Sequence, residues 1–422
     1  MTGGSAERWG GETTSRRRAM RTIFAGVALG STSLYAAFTA APLVATELTG
    51  SRAASGAPGA AALLGTAAGS AVLSSVMARR GRRSGLRFGY GLGVVGAGAA
   101  AVAIASSAFS LFLAAMVLIG MGHSSNQLAR FAVADMHAGE HRSSALSWIV
   151  WAGTIGAVVG PGLLQAGEPV GTALGLLPLA GALVFALLFY MSALTCLALL
   201  RHDPTEIAID DTAGLPRNER PALASMWRLQ HVRMALVVMV VGQVAMILVM
   251  TITPVHVREH GHGLWAVGAI MTSHFVGMFA LTPAIGRFVG RWGAMAAMFI
   301  GLPVLVVGAT AAALSPPSSG ALLAVSLLFV GLGWSFGFIA GSALLTHGLT
   351  YAERVRLQGG VDAIVWLSSA IASLSSGILL AVLSFGALCL VGAASVVGPM
   401  VMAARRRAAV ESSLGEAVLP SR

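Results

Sequence analysis

The sequence predicts an all-α membrane protein with twelve transmembrane helices in two pseudo-symmetric six-helix bundles. Three observations support this fold class: the scarcity of charge, the length of the apolar runs, and a repeat within the chain. Of the 422 residues, 56% are hydrophobic and 10% are charged, whereas soluble domains have about 25% charged residues. The chain lacks the charged residues that the exterior of a soluble fold requires, so we expect that exterior to face lipid.

The apolar residues form runs long enough to cross a bilayer as helices. A hydrocarbon core roughly 30 Å thick takes about 20 helical residues, and the runs lack the alternation typical of β-barrel strands. The predicted spans, numbered 1 to 12 along the chain, cover residues 22–46, 57–77, 86–107, 109–134, 144–164, 173–200, 233–255, 265–286, 293–314, 320–347, 358–383 and 385–404.

The arginines predict the orientation of these spans. All 27 basic residues are arginine. With the N-terminus in the cytoplasm, 24 of the 27 arginines lie in cytoplasmic segments, Arg52 and Arg258 lie outside, and Arg130 lies within the membrane. Because basic residues concentrate on the cytoplasmic side, we predict a multi-pass protein of the cell inner membrane with both termini in the cytoplasm. The first apolar run is too long for a signal peptide, so we expect it to be retained.

The longest polar stretch divides the chain into two sets of six spans, and short motifs repeat between the sets. The segment Ala78–Gly81 (Ala-Arg-Arg-Gly) matches Gly290–Gly293 (Gly-Arg-Trp-Gly) 212 residues later, and Ile119–Gly122 matches Val330–Gly333 at an offset of 211. Duplicated halves place a binding site at their interface. The predicted parts are a cytoplasmic tail (1–21), an N-terminal bundle (22–200), a cytoplasmic linker (201–232), a C-terminal bundle (233–404) and a second cytoplasmic tail (405–422).

Several classes of function are excluded or disfavoured. The absence of lysine excludes a phosphate-binding G-x-x-x-x-G-K-[ST] loop, and with it ATP-driven transport by this chain. The net charge of +11 comes from arginines in short loops, so we expect no nucleic-acid partner. We find no nucleophile–base set and no cofactor fingerprint, so we predict neither an enzyme nor a cofactor. Cys196 and Cys389 lie in apolar runs and give no disulfide or metal signature.

Two motifs resemble those of the major facilitator superfamily. The loop motif G-x-x-x-[DE]-R-x-G-[RK]-[RK] of that family is similar to Ser74–Arg83, although its acid is replaced by Ala78 here and by Gly290 in the second copy. Residues Gly153–Gly162 in span 5 resemble the glycine-proline motif of the family's proton-coupled antiporters; close helix packing is the alternative explanation. The resemblance implies two bundles that rock about a central cavity.

The resemblance also implies a function. We predict a secondary active transporter that exports a hydrophobic or amphiphilic small organic compound, coupled to protons, by alternating access. The alternatives are proton-coupled uptake of a nutrient or chelated metal, and a non-transporting membrane receptor. The expected partners are the small-molecule substrate, the proton and membrane lipid, and the protein is expected to be a monomer. The outer-loop residues His256, Glu259, His260 and His262 fit no strong metal signature, so we predict no metal site.

Polar residues inside a membrane are costly and suggest function. His123, Asn126 and Arg130 share one face of span 4; a helix–helix contact, or for Arg130 an interfacial position, is the alternative. The resemblance implies that spans 1, 4, 7 and 10 line the cavity, although aromatic and Met side chains also pack against neighbours or lipid. The predicted substrate-binding residues are Tyr35, His123, Asn126, Trp151, Gln243, Met246, Trp334 and Trp366.

The predicted proton-coupling or gating residues are few. Asp362 in span 11 is the clearest intramembrane acid, and we consider it as a proton carrier, a gate latch with Arg79 or Arg130, or a helix-start charge. His274 in span 8 is a candidate proton relay or a packing histidine. Asp135 is expected at the cytoplasmic end of span 4 as a partner for Arg79 or Arg142.

Overall fold

The structure, a computed structural model, describes the backbone of residues 3–136, 140–200, 203, 229–346 and 351–416. Of the predicted linker 201–232, only Asp203 and residues 229–232 belong to the described residues, and the side chain of Asp135 lies outside them. Within the helices, the structure does not describe the side chains of residues 3–15, 131, 134–135, 140–147, 150, 346, 351–356, 358–359 and 406–416.

All regular structure in these described residues is helical, which confirms the predicted fold class. A 3-10 helix, Arg52–Gly56, joins the first two α-helices. The α-helices are Gly3–Thr49, Ala57–Ala105, Phe109–Asp135, Glu140–Ala173, Ala180–Ala198, Gln230–Glu259, Leu264–Phe279, Thr282–Trp292, Ala294–Leu314, Gly320–Thr346, Tyr351–Val382 and Phe385–Glu416.

The helices cover most of each predicted span, although helix and span do not correspond one to one, and the helix of span 6 begins at Ala180 rather than at residue 173. Within the described part of the chain, ten helical stretches are long and apolar enough to cross a membrane. The stretch Arg52–Ala105 has 54 residues and holds spans 2 and 3, since about 20 residues suffice for one crossing. Span 5 lies in Glu140–Ala173, and span 8 is divided between Leu264–Phe279 and Thr282–Trp292.

Two glycines separate consecutive spans at the repeated loop motif. Gly81 has φ 82° and ψ 166°, and Gly293 has φ 85° and ψ 160°. This region of backbone space is essentially restricted to glycine, so a glycine allows the chain to turn there without strain. The same conformation at positions 212 residues apart supports the duplication that the sequence motifs predict.

The chain forms two compact units, and the first contains Met1–Val44 and Ala61–Leu215. Small residues bring its helices close together. A side chain on Gly160 of span 5 would place its Cβ 2.7 Å from Tyr35 Cβ and 2.9 Å from the backbone nitrogen of Ala36 in span 1. The glycines of the span 5 motif therefore pack directly against span 1, as small residues commonly do between membrane helices.

The second unit contains Ala45–Ala60 and Pro216–Arg422. Spans 9 and 10 approach closely in it, because a Cβ on Gly301 would lie 3.1 Å from the backbone nitrogen of Gly337. Residues 45–60 pack against span 11, where the Ser373 hydroxyl donates to the carbonyl oxygen of Gly56 at 2.9 Å. Arg52 of the same segment forms an ion pair with Glu259.

Candidate functional site

In the first unit, a buried polar network surrounds Asn126 of span 4, which is 8% exposed. The Tyr90 hydroxyl donates to Asn126 Oδ1 at 2.6 Å, and Asn126 Nδ2 donates to Ser31 Oγ at 3.1 Å. A Cβ on Gly30 would lie 2.6 Å from the Tyr90 ring and 2.7 Å from Asn126 Oδ1. The absence of a side chain at Gly30 therefore leaves room for the network.

The same network determines the proton arrangement on His123, which is half-buried. Asn126 Nδ2 lies 3.4 Å from His123 Nδ1, and Gln127 Nε2 lies 3.4 Å from His123 Nε2. Because Tyr90 donates to the Asn126 oxygen, the amide NH2 group must face the imidazole, so Nδ1 accepts and Nε2 carries the proton. We assign that neutral tautomer, which requires Gln127 to turn its oxygen toward Nε2.

In the second unit, four side chains form a cluster centred on Trp334, which we call the Trp334 cluster. The indole Nε1–H of Trp334 donates to Gln243 Oε1 at 2.7 Å. Phe338 stacks on the indole with ring centroids 4.9 Å apart, and Phe279 meets it edge-on at 6.2 Å. Gln243 is 5% exposed, while the three aromatic side chains are half-buried, so part of each ring remains accessible.

The other predicted substrate-binding residues differ in accessibility. Met246 is 1% exposed and belongs to the packed interior of the second unit. Trp366 and Tyr35 are half-buried. Trp151 is 44% exposed and lies edge-on to Trp148, with ring centroids 6.2 Å apart.

The predicted proton-coupling and gating residues occupy different environments. His274 is fully buried, and its Nδ1–H donates to the carbonyl oxygen of Leu327 at 2.9 Å, while Nε2 has no hydrogen-bond partner in the described structure. Asp362 and Arg130 are half-buried, and each takes part in a further noncovalent interaction. Arg79 is exposed.

His260 and His262, which follow the helix Gln230–Glu259, each donate a ring N–H to a backbone carbonyl oxygen. His260 Nδ1 lies 2.8 Å from His256 O, and His262 Nε2 lies 2.8 Å from Pro317 O. Among the described side chains, no group of three or more His, Cys, Asp or Glu is arranged to hold a metal ion.

Sequence reasoning did not identify Tyr90, Ser31, Phe279 or Asp203 as partners in these arrangements. Tyr90, near the start of the apolar span 3, is an available signal, because a buried phenol hydroxyl usually needs a hydrogen-bond partner. Asp203 accepts hydrogen bonds from the backbone of Arg82 and Arg83, a contact across about 120 residues that local patterns do not reveal.

The comparisons with known proteins agree on one family. A model of the Major Facilitator Superfamily matches residues 23–372. The chain is 34% identical over 371 residues to the uncharacterised MFS-type transporter YdeG of Bacillus subtilis strain 168, covering 86% of each chain. It is 29% identical over 375 residues to the riboflavin transporter RfnT of Brucella anthropi, covering 87% of this chain and 90% of the relative.

Solved structures share the fold at low sequence identity. The nucleoside transporter NupG has a TM-score of 0.66 at 12% identity, with 93% of this chain and 98% of that chain covered. The inward-open xylose transporter XylE from E. coli has a TM-score of 0.69 at 15% identity, with 91% and 94% covered. Identities this low support the fold and carry no information about the substrate.

Proposed function

We propose that this chain, which belongs to the major facilitator superfamily of membrane transporters, exports a hydrophobic or amphiphilic small organic compound in exchange for protons, by alternating access. The Trp334 cluster carries this proposal. Aromatic rings offer large apolar contact areas, and a single amide supplies a directed hydrogen bond. The contacts that the structure gives for Gln243, Trp334 and Phe338 involve no charged group, which favours an uncharged, largely apolar solute.

The polar network of the first unit supports the same class of substrate. Tyr90, Asn126, Ser31 and His123 offer neutral hydrogen-bonding groups, which suit the polar part of an amphiphilic molecule. A relative named as a riboflavin transporter makes riboflavin a rational first probe, since that compound joins a flat ring system to a polar ribityl chain. The name of that relative gives no direction of transport.

Proteoliposomes with an imposed pH gradient test the direction of coupling. An antiporter accumulates substrate in vesicles with an acidic lumen, because outward proton flow drives substrate inward whichever way the protein is inserted. At one proton per substrate, a gradient of one pH unit supports about tenfold accumulation. We expect accumulation of riboflavin or another amphiphilic panel member under this gradient.

The opposite gradient tests the uptake alternative. Accumulation only in vesicles with an alkaline lumen would indicate symport and would replace export with proton-coupled uptake. Binding without translocation under either gradient would support a receptor. Protein-free vesicles and a gradient collapsed by a protonophore provide the controls.

We propose Asp362 and His274 as the groups that couple protons to transport, with Arg130, Arg79 and Asp135 as candidate gating residues. We choose Asp362 and His274 because ionisable side chains are scarce at membrane depth. We expect an Asp362→Asn, His274→Ala double variant to lose gradient-driven accumulation and to retain exchange of labelled for unlabelled substrate. His260→Ala, in an exposed loop, is the matched control and should accumulate substrate normally. Full accumulation by the double variant would refute the assignment.

A further inference from the structure

The amide of Gln243 has a fixed orientation and an unused donor. Trp334 Nε1–H donates to its oxygen at 2.7 Å, so the NH2 group faces the other way. The structure gives this NH2 group no hydrogen-bond partner among the described residues. Gln243 is 5% exposed as a residue, but its Nε2 is not among the fully buried polar atoms that lack a partner, so the donor remains accessible. A ligand acceptor that pairs with it gains specificity.

The aromatic members of the cluster fix the plane of the indole. Phe338 stacks on Trp334 at an interplanar angle of 23°, while Phe279 approaches at 77°. Together with the Gln243 hydrogen bond, these contacts hold the ring against rotation about its side-chain bonds. A ring held in this way loses little conformational entropy when a ligand stacks on it.

We propose that the Trp334 cluster is a subsite for a flat, uncharged heteroaromatic ring, which stacks on the cluster's aromatic side chains and accepts a hydrogen bond from the Gln243 NH2 group. The acceptor is a carbonyl oxygen or ring nitrogen at the edge of the ligand. This inference rests on the proposed function in one respect: it takes the ligand to be the transported compound.

The same geometry argues against a sugar or an ion in this subsite. A sugar ring presents several hydroxyl groups, and each one that is buried needs a partner. The subsite offers one amide among aromatic rings. An ion would need a charged partner, and the described contacts of Gln243, Trp334 and Phe338 supply none.

Binding to purified protein in detergent tests the proposal without requiring transport. Riboflavin is the probe, and its fluorescence falls when the flavin stacks on an indole. Lumichrome, which is the flat ring without the ribityl chain, should compete for the site, and ribitol should not. Trp334→Leu should weaken riboflavin binding about tenfold, in line with the loss of one stacked aromatic partner.

Three further variants separate stacking from general damage. Trp334→Phe keeps an aromatic ring and should weaken binding by no more than about threefold. Gln243→Leu keeps the size of the side chain, removes the donor, and should weaken binding about tenfold, as expected for a lost buried hydrogen bond. Trp292→Leu removes another indole, stacked on Phe288 with centroids 6.3 Å apart, and should leave binding within about twofold of the parent. Size-exclusion profiles and helical circular dichroism identify any variant that fails to fold.

The outcomes separate this proposal from the proposed function. Unchanged binding in both Trp334→Leu and Gln243→Leu would overturn the subsite even if transport succeeds. Competition by ribitol rather than lumichrome, or failure of both flat probes to bind the parent protein up to their limits of solubility, would also overturn it. Trp334-dependent binding of lumichrome would support the subsite even if no pH gradient drives transport, in which case only the coupled export would fail.

Discussion

The turns that precede spans 3 and 9 share a backbone conformation and differ in their polar contacts. Gly81 and Gly293 agree within a few degrees in φ and ψ. After Gly81, the backbone N–H groups of Arg82 and Arg83 donate to the Asp203 carboxylate at 3.1 and 3.0 Å. Among the described side chains, none is seen to cap the helix that follows Gly293. The backbone therefore requires the glycine in both halves, whereas a described carboxylate caps the helix only in the first half.

Arg87 adds a second contact to the first of these turns. Its Nε donates to the carbonyl oxygen of Leu197 at 3.1 Å, and its Nη2 donates to that of Ala198 at 2.6 Å. Carbonyl groups at a helix C-terminus lack intrahelical partners, and a cation there interacts favourably with the helix dipole. The residue at the same distance after Gly293 is Phe299, which has no such donor. We therefore expect charged side chains to stabilise the first turn more than the second.

The largest effect is expected at the two glycines themselves. Alanine at Gly81 or Gly293 would occupy backbone space that costs a non-glycine residue about 1–3 kcal/mol. At Gly81 the new Cβ would also lie 2.9 Å from the carboxyl carbon of Asp203, whereas nothing lies within 4 Å at Gly293. We expect Gly81→Ala to destabilise its unit more than Gly293→Ala destabilises the other.

The two cysteines allow each unit to be followed separately. Cys196 lies in span 6 of the first unit, and the buried Cys389 lies in span 12 of the second. Because Cys196 is half-buried, the rise in labelling rate above the rate of the folded protein is followed during heating. It reports on the first unit in a Cys389→Ser background and on the second in a Cys196→Ser background. Gly81→Ala should lower the Cys196 midpoint by more than Gly293→Ala lowers the Cys389 midpoint. An equal or smaller shift for Gly81→Ala would show that the Asp203 contact adds nothing.

A smaller effect is expected from the cap. Asp203→Ala removes the acceptor of two backbone N–H groups at a helix start, which is expected to cost about 1–2 kcal/mol. Asp203→Asn keeps one oxygen acceptor without the charge and should cost roughly half as much. The Cys196 labelling midpoint is the measurement. If both variants have the same labelling midpoint as the parent protein, water replaces the Asp203 carboxylate as the acceptor. The cap then does not make the first turn more stable than the second.

The smallest effect is expected at Arg87. Arg87→Gln removes charged hydrogen bonds to two carbonyl groups, and partial exposure limits the expected loss to about 0.5–1.5 kcal/mol. Arg291→Gln is the matched control, because Arg291 is exposed and precedes the second turn. We expect that control to change stability by no more than about 0.5 kcal/mol. Equal shifts for the two variants in labelling midpoint would contradict a special role for Arg87.

The sequence predicts only part of the candidate site that the structure shows. The polar face of span 4 was visible in the sequence, because His123 and Asn126 are three residues apart and share one side of a helix. Gln243 and Trp334 are polar or aromatic residues on predicted cavity helices, and the structure joins them through a hydrogen bond. The same reasoning predicts Met246 as a substrate contact, whereas the structure buries it. Helical periodicity gives relative angles along one helix and does not say which face meets a neighbour.

The sequence alone determined the membrane class, the helical architecture and the duplication, since long apolar runs and the glycines at 81 and 293 act through local backbone physics. A run of about 20 apolar residues forms a spanning helix largely regardless of its neighbours. Only the tertiary structure decided which polar groups meet, as in Tyr90 with Asn126 and Asp203 with the start of span 3. Those contacts depend on helix rotation and close packing across distant parts of the chain, and a linear pattern does not specify either.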